Sequence, residues 1–228
     1  MSDSAPKIGI LSGMFDPIHL GHLNSANQAI EQFGLDFVYF IPTAVAPHKR
    51  EASAGAADRL AMTKAAIESN PAFRISEIEM GEDSPSYSYD TVSKIKEEYD
   101  SLFFIVGLDA FEEIHTWKSA DRLMKSCNVV VASRPGFDIA RVVSKFESAF
   151  REKEIDFELT ETQDKYCELA ISPVGSPYSI YICRFTEMNI SSTAVREKAA
   201  EGASFKYLVS PEVEKYILES GLYGACKR

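Results

Sequence analysis

At 228 residues the chain has the length of one α/β domain with some elaboration, and 45% hydrophobic against 25% charged residues excludes a long disordered protein. A formal net charge of −10 argues against a surface that binds nucleic acid by counterion release, and no stretch approaches the roughly 18 apolar residues of a membrane span. No basic segment followed by an apolar run opens the sequence, so no secretory leader is expected and the chain reads as cytoplasmic.

Residues 7–12 (KIGILS) are a short apolar run that predicts a buried strand. Over 19–33, Leu20, Leu23, Ala26, Asn27 and Ile30 recur at helical spacing, and Gly34 marks the stop. Residues 37–41 (FVYFI) predict a strand ended by Pro42, 57–69 a helix broken at Asn70-Pro71, and 73–78 another strand. A helix follows over 89–98, then a fully buried strand over 102–106 (LFFIV), a short helix over 119–125 and a strand over 128–132 (NVVVA). Arg134-Pro135-Gly136 reads as a turn and 139–153 as a helix. From 155 to 179 the pattern weakens, which predicts an irregular insertion. The last predicted strand is 180–184 (IYICR), and helices over 192–201 and 211–219 close the chain, the second stopped by Gly221.

Strands separated by helices pair in parallel through right-handed crossovers, so the expected fold class is α/β, a doubly wound parallel sheet with a small C-terminal helical part. A single domain is expected over 1–228, with the sheet core in 1–189 and the C-terminal helices in 190–228. Ligands of such sheets bind beyond the carboxyl ends of the strands, which directs attention to the residues after Ser12, Ile41, Val106, Ala132 and Arg184. Cys127, Cys167, Cys183 and Cys226 are scattered with no C-x-x-C pair, so they read as small hydrophobes rather than a metal or redox set.

After the first strand comes Ser12-Gly13-Met14-Phe15-Asp16-Pro17-Ile18-His19-Leu20-Gly21-His22, opening the first helix. Gly13 allows close backbone approach, and Gly21 keeps the space between the two histidines uncrowded. His19 and His22 are three apart and share one helix face. Two imidazoles at a helix N-terminus, with its N–H groups and positive dipole end, make an anion site. H-x-x-H also suits a metal, but no third nearby His or Cys completes one, and the string is not a G-x-G-x-x-G fingerprint. A second string, Ile190-Ser191-Ser192-Thr193-Ala194-Val195-Arg196, leads into the helix over 192–201, with Ser191 or Ser192 as cap and Arg196 in its first turns.

The F-D-P-x-H-x-G-H string resembles the first signature of the nucleotidylyltransferase superfamily, and I-S-S-T-x-[IV]-R resembles the second, in the right order. Many members have Gly where this chain has Ser12. The resemblance implies a Rossmann-like fold in which His19, His22 and Arg196 carry the catalytic work on the ATP phosphates. It implies ATP contacts from Gly13, Met14, Phe15, Gly107, Asp109, Ile190, Ser191, Ser192 and Thr193.

Further strings narrow the resemblance to bacterial nicotinate mononucleotide adenylyltransferases. These are Pro47-His48-Lys49, the Tyr87-Ser88-Tyr89-Asp90-Thr91 stretch, Gly107-Leu108-Asp109, the lone Trp117, and Tyr207-Leu208-Val209-Ser210-Pro211 with the ending Gly221-Leu222-Tyr223. They imply a mononucleotide set of Asp16, Lys49, Tyr87, Ser88, Thr91, Trp117 and Arg134. In that set Lys49 meets phosphate, the main chain near Tyr87 holds the pyridine carboxylate, and Trp117 stacks on the pyridine ring. Asp109 is implied to receive ribose hydroxyls, and Asp16 to orient a histidine or a metal-bound water.

The implied partners are ATP and nicotinate mononucleotide, with Mg²⁺ delivered on ATP and no protein-made metal cage. Nucleic acid and membrane are not expected partners, and a homo-oligomer is compatible with the sequence. Nicotinamide mononucleotide or phosphopantetheine as acceptor, and a nucleotide sensor without turnover, are the alternatives.

Overall fold

The computed structural model describes residues 5–45, 52–81, 85–133, 139–151, 155–162, 167–186 and 188–225. They gather into two compact units that interleave along the chain, one from Met1–Ile10, Gln28–Asp36 and Tyr87–Glu187, the other from Leu11–Asn27, Phe37–Ser86 and Met188–Arg228. Strand β1 (Lys7–Gly13) and helix α1 (Leu20–Phe33) each run from one unit into the other.

In the first unit the strands lie in the order β1-β4-β5-β8-β7-β6. Strands β4 (Ser101–Gly107), β5 (Asn128–Ser133) and β8 (Ile180–Arg184) run parallel to β1. Their apolar runs are buried on both faces, as the centre of a parallel sheet requires: Leu102, Val129, Val130, Val131 and Ile180 are fully buried. Helices α3 (Ser88–Lys96), α4 (Leu108–Glu112), α5 (Ala120–Met124) and α6 (Ile139–Arg151) belong to this unit. Phe146 of α6 stacks on Phe111 of α4 at 5.3 Å and meets Phe157 edge-on at 4.8 Å.

The described residues of the weakly patterned region from 155 to 179 are not an irregular insertion. They hold β6 (Phe157–Glu161) and β7 (Cys167–Pro173), which pair antiparallel with each other, and β7 pairs antiparallel with β8. The sheet is therefore mixed, with a parallel core and an antiparallel edge. The alternation Phe157/Leu159 is short and lies on an edge strand whose last four residues are exposed. A register shift between Cys167 and Leu169 breaks the period in β7. Neither strand carries the continuous apolar run that marks β4 and β5.

In the second unit the order is β3-β2-β1, with β2 (Phe37–Pro42) parallel to β3 (Phe73–Ile75), which is shorter than the 73–78 run predicted. Helix α2 (Ala56–Ile67) connects them, and α7 (Ser192–Ala200) and α8 (Pro211–Ser220) complete the unit. Ser210 caps α8 by accepting from the Val213 N–H at 3.3 Å, Pro211 opens it, and Gly221 ends it in the left-handed conformation at φ 63°. The strand order turns back at β1, and ligands of such sheets bind past the carboxyl ends of the strands. Among the described residues no helix is long and apolar enough to cross a membrane.

Candidate active site

In the second unit β1 ends at Gly13, and the turn that follows holds Phe15 in the left-handed region at φ 45°. That conformation is disfavoured for a bulky side chain, so the surroundings must impose it. The buried Phe15 ring packs edge-on against His22 at 5.1 Å and against Phe40 at 6.1 Å. Ser12 is tied in by its hydroxyl, which lies 3.3 Å from Thr43 Oγ1 and donates to Glu79 Oε1 at 3.2 Å.

His19 stands just before α1 rather than within it, as the residue that caps the helix. Its N–H donates to His22 Nδ1 at 3.2 Å, and its carbonyl accepts from the His22 N–H at 3.0 Å. A side chain in the third helical position thus reaches back to the cap, as in a capping box. The bond assigns the proton of a neutral His22 imidazole to Nε2. The two rings stack at 3.6 Å with an interplanar angle of 21°. Gly21 makes room here, because a Cβ would sit 3.0 Å from His19 Nδ1 and 3.1 Å from its Cε1 and would push the ring by a few tenths of an ångström.

The N-terminus of α1 offers fewer donors than its sequence suggests. The Leu20 N–H goes to the Leu208 carbonyl at 3.0 Å, and those of His22 and Leu23 go to the His19 carbonyl. More is left at α7. Ser191 caps it by accepting from the Ala194 N–H at 3.1 Å, and the Val195 N–H returns to the Ser191 carbonyl, whereas the Ser192 and Thr193 N–H groups enter neither bond. The half-buried Ile190 leads into this turn, its N–H on the Met188 carbonyl at 2.7 Å.

Side chains tie this turn to the histidine string. Ser192 Oγ donates to the Pro17 carbonyl at 2.9 Å, and Arg196 Nη1 donates to the Asp16 carbonyl at 2.7 Å. Arg196 Nη2 also donates to Thr193 Oγ1 at 3.3 Å. One unit therefore brings together Met14, Phe15, Asp16, His19, His22, Ile190, Ser191, Ser192, Thr193 and Arg196. The Asp16 carboxylate is buried. Its oxygens accept from Ser53 N–H at 2.7 Å, Ala54 N–H at 3.1 Å and Tyr223 OH at 2.8 Å, with Arg196 Nη1 at 3.9 Å.

In the first unit β4 ends at Gly107, which caps α4 in an extended conformation, and the exposed Asp109 lies in the first turn of that helix rather than at its cap. Trp117 follows the 3₁₀ turn Ile114–Thr116 and meets Phe104 edge-on at 6.2 Å. It is half-buried and so is not a core tryptophan. Tyr87 caps α3 and Ser88 begins it, while the buried Thr91 donates its hydroxyl to the Tyr87 carbonyl at 3.3 Å. Lys118 Nζ lies 4.1 Å over the Tyr87 ring and 3.4 Å from Asp90 Oδ2. Lys49 and Arg134, with the P-H-K string and the turn at 134–136, lie outside the described residues.

Residues 10–198 match the sequence model of the cytidylyltransferase-like family. The chain belongs to this family. The cytidylyltransferase-like chain is 37% identical over 218 residues to a protein of Desulfatibacillum aliphaticivorans named a probable nicotinate-nucleotide adenylyltransferase, covering 95% of this chain and 99% of that protein. It is 35% identical over 220 residues to the nicotinate-nucleotide adenylyltransferase of Bacillus subtilis, covering 95% and 98%. In structure it resembles Plasmodium falciparum nicotinic acid mononucleotide adenylyltransferase complexed with NaAD, with a TM-score of 0.69 over 98% of this chain and 100% of that one. At 17% identity this last likeness speaks to the fold, a Rossmann-like nucleotidyltransferase architecture.

Two polar residues of this cytidylyltransferase-like chain, Arg59 outside every motif and Tyr223 in the ending string, were given no role by the sequence. Arg59, 1% exposed, donates from Nη1 to the Met14 and Thr43 carbonyls at 2.7 and 2.6 Å, from Nη2 to Ala44 at 3.1 Å and from Nε to Ala54 at 3.3 Å. Burial lowers its pKa, and Asp16 and Tyr223 act in the opposite direction. Tyr223 is the other; burial first, then its hydrogen bond to Asp16, push its phenol well above the ordinary value and keep it a donor. The signal available for Arg59 was its place among the buried face residues Met62, Thr63, Ala66 and Ile67 of α2, where a lone arginine is rare.

Proposed function

We propose that this chain transfers the AMP part of ATP to nicotinate mononucleotide, giving deamido-NAD and pyrophosphate. The mononucleotide phosphate oxygen attacks the α-phosphorus of ATP in line, one P–O bond forms as the bond to the β-phosphate oxygen breaks, and pyrophosphate leaves. Such a transfer depends on positioning and on stabilising charge on the equatorial oxygens. His22 donates from Nε2 to those oxygens, and His19 lies against it as the second imidazole on the triphosphate. Arg196 and the Ser192 and Thr193 N–H groups take the charge of the leaving pyrophosphate.

The reading is supported most by one arrangement: both imidazoles, Arg196 and the first turn of α7 are held together by Ser192 on Pro17 and Arg196 on Asp16. The full-length identity to named nicotinate-nucleotide adenylyltransferases supports the acceptor. On the acceptor side Asp109 receives ribose hydroxyls, Trp117 stacks on the pyridine ring, Lys49 meets phosphate, and Arg134 belongs to the mononucleotide set. Magnesium enters on the triphosphate and is held by phosphate and water. Among the described residues no three His, Cys, Asp or Glu side chains form a cage, and both Asp16 oxygens already accept hydrogen bonds.

The test is pyrophosphate release from ATP and Mg²⁺ with nicotinate mononucleotide, nicotinamide mononucleotide or phosphopantetheine. Turnover with strong preference for nicotinate mononucleotide is expected. Reaction with phosphopantetheine alone would move the acceptor, and ATP binding without any turnover would make the chain a sensor.

A further inference from the structure

Phe15 poses a mechanical question. A phenylalanine at φ 45° relaxes to negative φ unless its neighbours prevent it, and Phe15 lies between two residues with direct ties to the second helix, to the approach to that helix and to Tyr223. On one side the Met14 carbonyl accepts from Arg59 at 2.7 Å. On the other, the Asp16 carboxylate accepts from Tyr223 at 2.8 Å and from two backbone N–H groups. Tyr223 is itself left-handed at φ 59°, a second non-glycine residue in an unfavourable conformation within the same node.

We propose that Arg59 and Tyr223 are positioning residues of the phosphate site, which hold Met14 and Asp16 so that Phe15 stays against His22 and the Asp16 carbonyl stays on Arg196. The inference rests on the adenylyltransferase reading and adds residues to it. The guanidinium suits the task because it is a rigid plane with five donors, of which four hydrogen bonds go to carbonyls of Met14, Thr43, Ala44 and Ala54. These belong to the turn after β1, the turn after β2 and the approach to α2, so one side chain sets their mutual spacing. The Ala54 residue is held twice, its carbonyl by Arg59 and its N–H by Asp16. If Tyr223 lets go, Asp16 can rotate, and its carbonyl carries the Arg196 guanidinium with it.

The decisive comparison is Tyr223→Phe, which removes one hydroxyl and nothing else. Rates are measured per folded protein, alongside Tyr216→Phe, which deletes a comparable bond from α8 to Asp58 at 2.9 Å. Tyr223→Phe is expected to lower kcat about tenfold or more by misaligning groups at the reacting phosphate, with KM for the mononucleotide within about twofold. Tyr216→Phe is expected to keep wild-type kinetics. In an Arg196→Lys background, adding Tyr223→Phe should lower kcat by clearly less than in the wild type, because one of the two positioned groups is already gone. The same tenfold loss in that background, or wild-type kcat in Tyr223→Phe, overturns the inference. So does unfolding of Tyr223→Phe at the assay temperature, which would make the hydroxyl a structural prop. An inactive wild-type protein sinks the adenylyltransferase reading instead.

Discussion

At the scale of single residues, His22 has two nitrogens with different work. Nδ1 accepts the His19 N–H and so completes the start of α1, while the proposed mechanism assigns Nε2 to the triphosphate. His22→Asn keeps an acceptor near Nδ1 and deletes Nε2. It is expected to melt near the wild-type temperature yet lose about a hundredfold or more in kcat/KM, as loss of one transition-state donor does. Activity near wild type would exclude Nε2 from the chemistry. Gly21→Ala separates stability from function in the opposite sense. Alanine favours a helix over glycine by roughly 0.8–1 kcal/mol, so Tm should hold or rise. Its Cβ meets the His19 ring at 3.0 Å, so kcat should fall. A parallel fall in both would show that the stacked imidazoles are a packing feature. At this scale the sequence was informative wherever a motif named the residue. Arg59 was hidden because it acts on main-chain carbonyls, which leave no spacing to read, and Tyr223 was quoted only as part of the ending string, which carries no sign of its bond to Asp16.

At the scale of elements, α7 and α8 begin with the same device and serve different ends. Ser191 and Ser210 each accept an N–H three residues on, at 3.1 and 3.3 Å. Removing either cap by alanine should cost about 1 kcal/mol of stability, seen as a lower urea midpoint. Only Ser191→Ala should also raise KM for ATP, since the first turn of α7 carries Thr193 and Arg196. Equal kinetic losses in both variants would refute an assignment of the triphosphate to α7. Caps and stops also explain which elements were legible. Gly34 and Gly221 ended helices where expected, both left-handed at φ 61° and 63°. Strands β4 and β5 were legible because burial on both faces demands unbroken apolar runs. Strands β6 and β7 demand only short alternation, and the register shift at Cys167 interrupts even that. The five-residue α4 was missed because it is too short for a helical period.

At the scale of the whole molecule, the two compact units interleave along the sequence, so no linker or change of composition announces them. Their membership depends on which distant segments pair, and local pattern does not encode that. Global stability nevertheless has a handle in one residue of the first unit. Cys127 is buried, and that burial pushes its thiol from 9.0 up to about 12, with Lys96 opposing. The folded pKa is raised, so the folded state binds a proton that the unfolded chain releases. The stabilisation that follows is fully present below pH 9 and is lost as pH rises toward 12. Cys127→Ala removes this linkage together with some packing. The wild type should therefore be more stable than the variant at neutral pH, by an amount set by the cavity left behind. Above pH 9 the wild type should lose stability faster, so the gap in urea midpoints narrows. Other alkaline titrations, Tyr223 among them, are common to both proteins and cancel in the difference. A gap that stays constant across that window would mean that the Cys127 thiol ionises as easily in the folded protein as in the unfolded chain, and that its site is wetter than its contacts imply.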